Sequence, residues 1–226
     1  INWLRVMGQV SYYVWLTKQF TSPINVAIPS GNFGNAYSAW FGRSNGLPIN
    51  QILCSTNVND VLRRFIDGGV LEPLVTQPSV APSMDIQIPS SLERLIFDLS
   101  TEAKEFYAQL QNSTKAELDE KSVDTLKSVF SSVTFSDEMI KTRITSLHDE
   151  FGIIFDPHTV TSVQMALDND SSLPTVAVAT ASPEKFGNVI SPLINGFTES
   201  KIDQKEQYLT LSTENSEIIE AITAFI

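Results

Sequence analysis

The pattern of hydrophobic and polar positions alternates between helix and strand along the first third of the chain. Apolar residues recur at helical spacing over residues 3–15, and a β-branched run at residues 24–28 predicts a buried strand. A helix over residues 35–45, a strand over residues 50–56 and a helix over residues 59–68 follow. Because strands separated by helices pair in parallel, this order predicts an α/β fold with a mostly parallel sheet flanked by helices.

Polar residues and glycines mark the predicted helix ends. Asn57 or Asn59 is the predicted cap of the helix over residues 59–68, and a glycine ends that helix. Residues 90–152 then carry three helical patterns with charged outer faces, of which the first and third open on serine capping signals. We predict that most of this segment is a helical insertion.

The α/β pattern resumes after the insertion. A helix begins near Pro157, an apolar run at residues 173–182 predicts a buried strand, and Pro183 opens a short helix. A solvated linker over residues 198–207 is predicted to precede a last helix over residues 214–226. The predicted division is an α/β region over residues 1–99, a helical insertion over residues 100–150, and an α/β region over residues 151–226 that completes the same domain.

A turn with two glycines joins the first predicted strand to the helix that follows it. Backbone N–H groups at a helix start have no partner within the helix and lie at the positive end of its dipole, so they bind anions, usually phosphate. Gly31 and Gly34 can adopt positive φ angles and let a ligand approach closely, while Ser30 and Asn35 add hydrogen-bonding side chains. The turn therefore predicts an anion site, and a purely structural tight turn is the alternative.

Composition and charge narrow the classes of ligand. The 226 residues are 42% hydrophobic and carry a formal net charge of −11, which disfavours nucleic acid and acidic membrane surfaces as partners. Cys54 has no second cysteine to pair with, and no segment reaches the roughly 18 consecutive apolar residues of a membrane span. We expect a cytoplasmic protein. His148 and His158 stand apart from any ligand cluster, so no metal site is predicted, and His158 is assigned to packing or capping.

The turn lacks the motifs that bind two common phosphate ligands. No lysine lies in it or just after it, as a Walker loop for a nucleoside triphosphate requires. The dinucleotide fingerprint G-x-G-x-x-G is absent, and the strand at residues 50–56 ends without an Asp or Glu to bind a ribose. A small monophosphate held by backbone amides remains, and pyridoxal 5′-phosphate is one such ligand.

Several short segments carry a more specific signal than the turn alone. In chain order they are INWLR, QVSYY, PSGNFGN, GLPI, STNVNDVLRRFIDGG, PSMDI, SSLERLIFDL, FDPHT and ATASPEKF. Together they resemble the threonine synthase family of bacteria and fungi, which are pyridoxal-phosphate enzymes of fold type II. The resemblance covers residues 1–99 closely and residues 150–190 more loosely, and it implies that residues 1–99 bind the cofactor phosphate.

The resemblance implies roles for individual residues. The turn would bind the cofactor phosphate mostly through backbone N–H groups, and Thr180 would hydrogen-bond the pyridine nitrogen. Asn2 and Arg5 match a family segment, and Arg5 would hold the substrate phosphate. Taken without the resemblance, Thr180 fills a strand and Arg5 is solvated. The turn residues concerned are Ser30, Gly31, Asn32, Phe33, Gly34 and Asn35.

The resemblance also implies a reaction that this chain does not complete. The implied substrate is O-phospho-L-homoserine, which reacts with water to give L-threonine and phosphate. That chemistry needs a lysine that forms a Schiff base with the cofactor, and no lysine here stands in the family's Phe-Lys-Asp type of motif. No catalytic residue is therefore assigned in this chain. Because the chain also opens without Met, we expect the C-terminal portion of a longer enzyme, with the missing N-terminal portion as its partner and no activity alone.

Two other functions stay open. A different fold-type-II lyase, such as a dehydratase or a phospho-lyase acting on a related amino acid, would keep the phosphate site and change the substrate pocket. A non-catalytic relative that acts as a binding partner is also compatible with the absent lysine motif. Ser182 favours the same alternative, because several family members have a histidine at that position.

Overall fold

The computed structural model describes residues 2–198 and Glu220, so the predicted linker and last helix lie outside the described residues apart from Thr198 and Glu220. The strands are β1 (Ile24–Pro29), β2 (Ile49–Thr56), β3 (Val70–Leu71), β4 (Ala116–Glu117), β5 (Phe130–Thr134) and β6 (Thr175–Ala177). In this part of the chain β5, β2, β1 and β6 form a parallel sheet in that order, and β3 pairs antiparallel with β4. The predicted α/β fold with a mostly parallel sheet is confirmed.

Helices cover both faces of the parallel sheet. They are α1 (Trp3–Thr17), α2 (Gly34–Ser44), α3 (Val61–Gly68), α4 (Leu92–Leu99), α5 (Ala103–Ser113), α6 (Glu120–Val129), α7 (Asp137–Phe151), α8 (Thr159–Leu167) and α9 (Gly187–Ile190), with 3-10 turns at Pro82–Met84 and Pro183–Phe186. The buried apolar residues of α1 to α6 form one core, and those of α7 to α9 form a second. Among the described residues, no helix is both long enough and apolar enough to cross a bilayer.

Alternate residues of β2 reach the two cores. Ile52 and Cys54 belong to the core of α1 to α6, whereas Leu53 between them belongs to the core of α7 to α9. All three are buried, because successive side chains of a strand point to opposite faces of a sheet that is covered on both sides. Burial raises the pKa of the Cys54 thiol to about 12, so Cys54 packs as a protonated core residue.

The middle of the chain departs from the sequence prediction. The first helical pattern is divided into α4 and α5 by extended backbone at Ser100. Residues 130–132, which end the second pattern, belong to β5 (Phe130–Thr134), and this strand pairs with β2. The helical prediction was wrong there, because the edge of β2 supplies backbone hydrogen-bond partners that a local residue pattern does not reveal. The predicted insertion over residues 100–150 thus contributes a strand to the main sheet, and the domain boundaries themselves stay a prediction.

β6 is shorter and less buried than predicted. The predicted strand spans residues 173–182, whereas β6 covers Thr175–Ala177 with intermediate burial throughout. Within the described ranges β6 pairs with β1 alone, so it lies at an edge of the sheet. The Val178 N–H still donates to the Ala27 carbonyl of β1 (2.9 Å), and the chain then continues as the loop that carries Thr180.

Buried polar side chains fasten the loop between β3 and α4 to the end of β2. The side-chain amides of Asn57 and Asn59 both donate to Asp85 Oδ1, at 2.6 and 3.1 Å. The hydroxyl of Ser79 donates to the same oxygen (2.6 Å), and its N–H donates to Asp85 Oδ2 (3.1 Å). The prediction that Asn57 or Asn59 caps α3 was wrong, because α3 begins at Val61 and the loop uses both side chains.

Asp85→Ala should lower the free energy of unfolding by about 2–4 kcal/mol, because it removes the acceptor that the buried amides of Asn57 and Asn59 share with Ser79. Asp67→Ala is the matched control, since the Asp67 carboxylate is 52% exposed and pairs with Arg63 on the surface. The control should lose less than about 1 kcal/mol. Urea denaturation followed by circular dichroism measures both variants, and equal losses would contradict the role of Asp85 in holding the loop.

Candidate functional site

The turn after β1 and the loop after β6 meet at one edge of the sheet. β1 and β6 are parallel, with Ala27 opposite Ala177, so both strands direct their carboxyl ends to this edge. A cavity of about 210 Å³ lies there. Open α/β sheets bind ligands in such crevices, outside the carboxyl ends of neighbouring strands.

Most of the predicted site residues line this cavity. Asn2 does not line the cavity. Its Oδ1 instead accepts a hydrogen bond from the Leu4 N–H (2.8 Å) and so caps α1. Asn2 precedes the first turn of α1, whereas Arg5 extends from that turn to the cavity. The predicted residues that line the cavity are Arg5, Ser30, Gly31, Asn32, Phe33, Gly34, Asn35 and Thr180.

The start of α2 presents unpaired backbone donors. Within the described ranges, the N–H groups of residues 31–36 donate to no protein acceptor. The first hydrogen bond of the helix runs from the Tyr37 N–H to the Phe33 carbonyl (2.9 Å). Because the positive end of the helix dipole lies at the same point, this arrangement favours an anion.

The glycines of this turn supply space, and the positive φ angle belongs to another residue. Phe33 has φ 66°, whereas Gly31 and Gly34 are outside the left-handed region and do not use the positive φ angles that glycine can adopt. A Cβ on Gly31 would lie 2.6 Å from the Ser83 carbonyl oxygen and 2.9 Å from Met84 Cα. Glycine is therefore required at position 31 for the backbone of residues 83 and 84 to pack against the turn.

Asn35 connects the turn to α1. Its Oδ1 accepts hydrogen bonds from the hydroxyls of Tyr12 (2.5 Å) and Tyr13 (2.6 Å). Burial raises the pKa of Tyr12 to about 12 and the pKa of Tyr13 well above its usual value, so both phenols stay protonated donors. This pair of hydrogen bonds was not predicted from the sequence, because the segment QVSYY by itself predicts only a helix.

Ser30 and Asn32 have partners within the protein. The Ser30 hydroxyl donates to the Ile28 carbonyl (3.1 Å), and the Ser30 N–H donates to the Ser55 carbonyl (2.8 Å). Asn32 Oδ1 accepts from the N–H (2.7 Å) and the hydroxyl (2.8 Å) of Ser90. Both residues line the cavity and hold the shape of the turn, and their predicted contact with a cofactor stays a prediction.

His158 lines the cavity, although its sequence position indicated packing or capping. Its Nε2 accepts a hydrogen bond from the Ser83 N–H (3.1 Å), so its Nδ1 carries the proton and donates it to Asp156 Oδ1 (2.9 Å). Burial opposes the ionisation of Asp156, but hydrogen bonds from His158 and Thr159 hold the pKa of this carboxyl below its usual value. His158 therefore positions Ser83, whose carbonyl packs against Gly31.

The electrostatic surroundings of the cavity differ from those of the chain as a whole. The chain has a net charge of −11, yet among the residues that the structure describes the lining contains the cation Arg5 and no carboxylate. None of the described lysines lines the cavity. The described residues also contain no group of three or more His, Cys, Asp or Glu side chains that could hold a metal ion. The cavity thus suits a phosphorylated small molecule better than a cation.

Known proteins with similar sequence and structure include threonine synthases, although no family model matches the chain. A threonine synthase from Pseudomonas aeruginosa is 34% identical over 199 residues, which cover 84% of this chain and 42% of that protein. A "PLP bound" threonine synthase from Brucella melitensis superposes with a TM-score of 0.87 and 28% identity, over 99% of this chain and 51% of that one. The threonine synthase from yeast superposes with a TM-score of 0.81 and 30% identity, over 88% and 44%.

The similarity extends through most of this chain but only part of each relative. The chain spans about half the length of the curated relatives that it matches. The superposition on the Brucella structure covers 99% of this chain, so the agreement in fold is not confined to one part of the parallel sheet. By sequence and by fold, the chain is therefore homologous to the threonine synthases, in the portion of their length that it spans.

Proposed function

We propose that the cavity binds pyridoxal 5′-phosphate and that this chain is the C-terminal portion of a lyase of the threonine synthase type. The enzyme would convert O-phospho-L-homoserine and water to L-threonine and phosphate. One observation carries the proposal: Thr180 and the residues whose unpaired N–H groups begin α2 line the same cavity. The similarity to threonine synthases supports it.

The residues of the cavity fit the two polar ends of this cofactor. The N–H groups of residues 31–36 would hold the phosphate, because they have no other acceptor among the described residues, and none of the described carboxylates lies in the lining to repel it. Thr180 would hydrogen-bond the pyridine nitrogen. Bound pyridoxal phosphate supplies a conjugated ring that withdraws electrons from a neighbouring carbanion. A hydroxyl stabilises a protonated ring nitrogen less than a carboxylate does, so Thr180 would moderate that withdrawal.

Arg5 would bind the phosphate of the substrate. It is the cation in the lining, and a guanidinium group can donate two parallel hydrogen bonds to phosphate oxygens. Asn2 would contribute indirectly, because it caps the helix turn from which Arg5 extends.

The lysine that attaches the cofactor would come from another part of the enzyme. The described lysines lie away from the cavity, and the chain spans about half the length of its relatives. α1 offers a surface to the missing portion, because Leu4 is 75% exposed and Trp15 is 65% exposed, with Trp3 and Met7 also exposed. Large apolar side chains clustered on one exposed helix are typical of a surface that another part covers.

The proposed organisation follows from these assignments. Residues 1–99 would hold the cofactor phosphate, and residues 151–226 would complete the same domain by contributing Thr180. Residues 100–150 would be an insertion between them, and the enzyme would be cytoplasmic. A related lyase would keep the same phosphate site, so product analysis with several phosphorylated amino acids would distinguish it from a threonine synthase.

The 226-residue chain by itself should release no phosphate from O-phospho-L-homoserine in the presence of pyridoxal phosphate, because none of the described lysines lies in the cavity. Phosphate release and L-threonine formation measure this. The control is the full-length enzyme proposed above, in which this chain is joined to its N-terminal portion. This full-length enzyme should be active. Steady turnover by the chain alone would contradict the proposal.

Gly31→Ala should weaken the binding of pyridoxine 5′-phosphate by at least about tenfold, because the new Cβ would displace the backbone of Ser83 or the turn itself. This probe has no aldehyde and so does not react with surface lysines. Gly8→Ala is the matched control, since a Cβ there meets nothing within 4 Å. Titration calorimetry measures affinity, and circular dichroism checks the fold. A folded Gly31→Ala variant with unchanged affinity would disprove the proposed phosphate site.

Thr180→Ala in the active enzyme should reduce kcat roughly tenfold or more, because the ring nitrogen loses its hydrogen-bond partner. Thr180→Ser is the control, since it keeps the hydroxyl and should retain most of the activity. Steady-state kinetics with O-phospho-L-homoserine compares the two. The assignment fails if serine and alanine reduce kcat equally.

A further inference from the structure

Ser91 carries a buried hydroxyl that the protein does not use. Its side chain is completely buried, and Ser91 Oγ has no hydrogen-bond partner within the described ranges. The residue stands at the N-cap of α4, where its sequence position predicts a capping hydrogen bond, yet its side chain makes none. Leaving a buried hydroxyl unpaired costs stability, so the atom needs a partner that the polypeptide does not supply.

The surroundings of Ser91 show where that partner would lie. Ser91 lines the same cavity as the turn after β1. Its Oγ would be only 3.4 Å from a Cβ placed on Gly34, the first residue of α2. The Ser91 N–H donates to the Asn32 carbonyl (3.2 Å), and this bond ties the position of the residue to the turn. The hydroxyl is thus held beside the helix start that presents unpaired N–H groups.

We propose that Ser91 Oγ donates a hydrogen bond to a phosphoryl oxygen of a phosphomonoester bound at the start of α2. One anion there would satisfy both the orphan hydroxyl and the unpaired backbone N–H groups, whereas a water molecule or an apolar group would leave most of these donors unpaired. The inference rests on the proposed function for the identity of the ligand, pyridoxal phosphate. The chemistry of the contact itself requires only a phosphomonoester.

Ser91→Ala tests the contact, with Ser122→Ala as the matched control. Ser122 is also a buried serine, but its hydroxyl donates to the Leu99 carbonyl (3.1 Å) and it does not line the cavity. Calorimetric titration of the 226-residue chain with pyridoxine 5′-phosphate measures affinity, and thermal denaturation without ligand measures stability. Ser91→Ala should bind about tenfold more weakly, a change of about 1.4 kcal/mol, with unchanged or higher stability. Ser122→Ala should lose stability and keep its affinity.

Further ligands separate this inference from the proposed function. Pyridoxine without phosphate should bind equally to the unchanged chain and to Ser91→Ala, because the contact is made to phosphate. The chain could bind inorganic phosphate but not pyridoxine 5′-phosphate, with Ser91→Ala lowering its affinity for inorganic phosphate. In that case the inference about Ser91 holds and the assignment of the cofactor fails. A larger effect of Ser91→Ala on O-phospho-L-homoserine than on pyridoxine 5′-phosphate would assign the contact to the substrate phosphate.

Three results would overturn the inference. One is equal affinity of Ser91→Ala and the unchanged chain for every phosphorylated probe. Another is the absence of binding of every phosphate ligand tested, inorganic phosphate included, to the unchanged chain. The third is the failure to fold of both Ser91→Ala and a second variant, Ser91→Gly, which is included because glycine is tolerated at an N-cap. If neither Ser91→Ala nor Ser91→Gly folds, the hydroxyl has a structural role.

Discussion

The site depends on one property of α2, which is that its first backbone N–H groups have no acceptor in the described part of the protein. Every helix leaves such donors at its start, and most helices satisfy them with a polar capping residue. Here the N-cap is Phe33, which offers no side-chain oxygen. Its ring is buried and packs against Phe130 of β5, 5.6 Å between centroids. The residue that would otherwise cap the helix therefore anchors the turn in the core and leaves the donors available to a ligand.

A site made of backbone donors needs a rigid backbone, and separate elements provide that rigidity. α1 holds the turn through the two tyrosine hydroxyls that donate to Asn35. The loop before α4 holds it through the Ser90 donors to Asn32. His158 holds Ser83 against Gly31 from the opposite face of the sheet. These contacts fix the donors before any ligand binds, which reduces the ordering that binding requires.

Local patterns predicted those parts of the fold that depend on local interactions. The spacing of apolar residues was sufficient for α1, β1, α2 and β2, and the capping serine of α7 was correctly identified. The patterns failed at β5, where the neighbouring strand β2 decides the conformation. They also failed at Asn57 and Asn59, whose side chains bind a distant carboxylate and do not cap α3. In both cases a contact distant in sequence outweighed a weak local preference.

By itself, the sequence determined the alternation of strands and helices, the prediction of an anion site at the turn after β1, and a resemblance to one enzyme family. Only the tertiary structure decided which residues meet there. Gly31, Ser83, His158 and Thr180 come together because β1 and β6 are parallel neighbours and a polar network fastens the loop that carries Ser83. It also decided that Gly31 is required for space and not for its φ angle, and that Ser91 does not cap α4. The physical reason is that spacing along a chain reports local geometry, whereas a buried contact depends on which segments the sheet brings side by side.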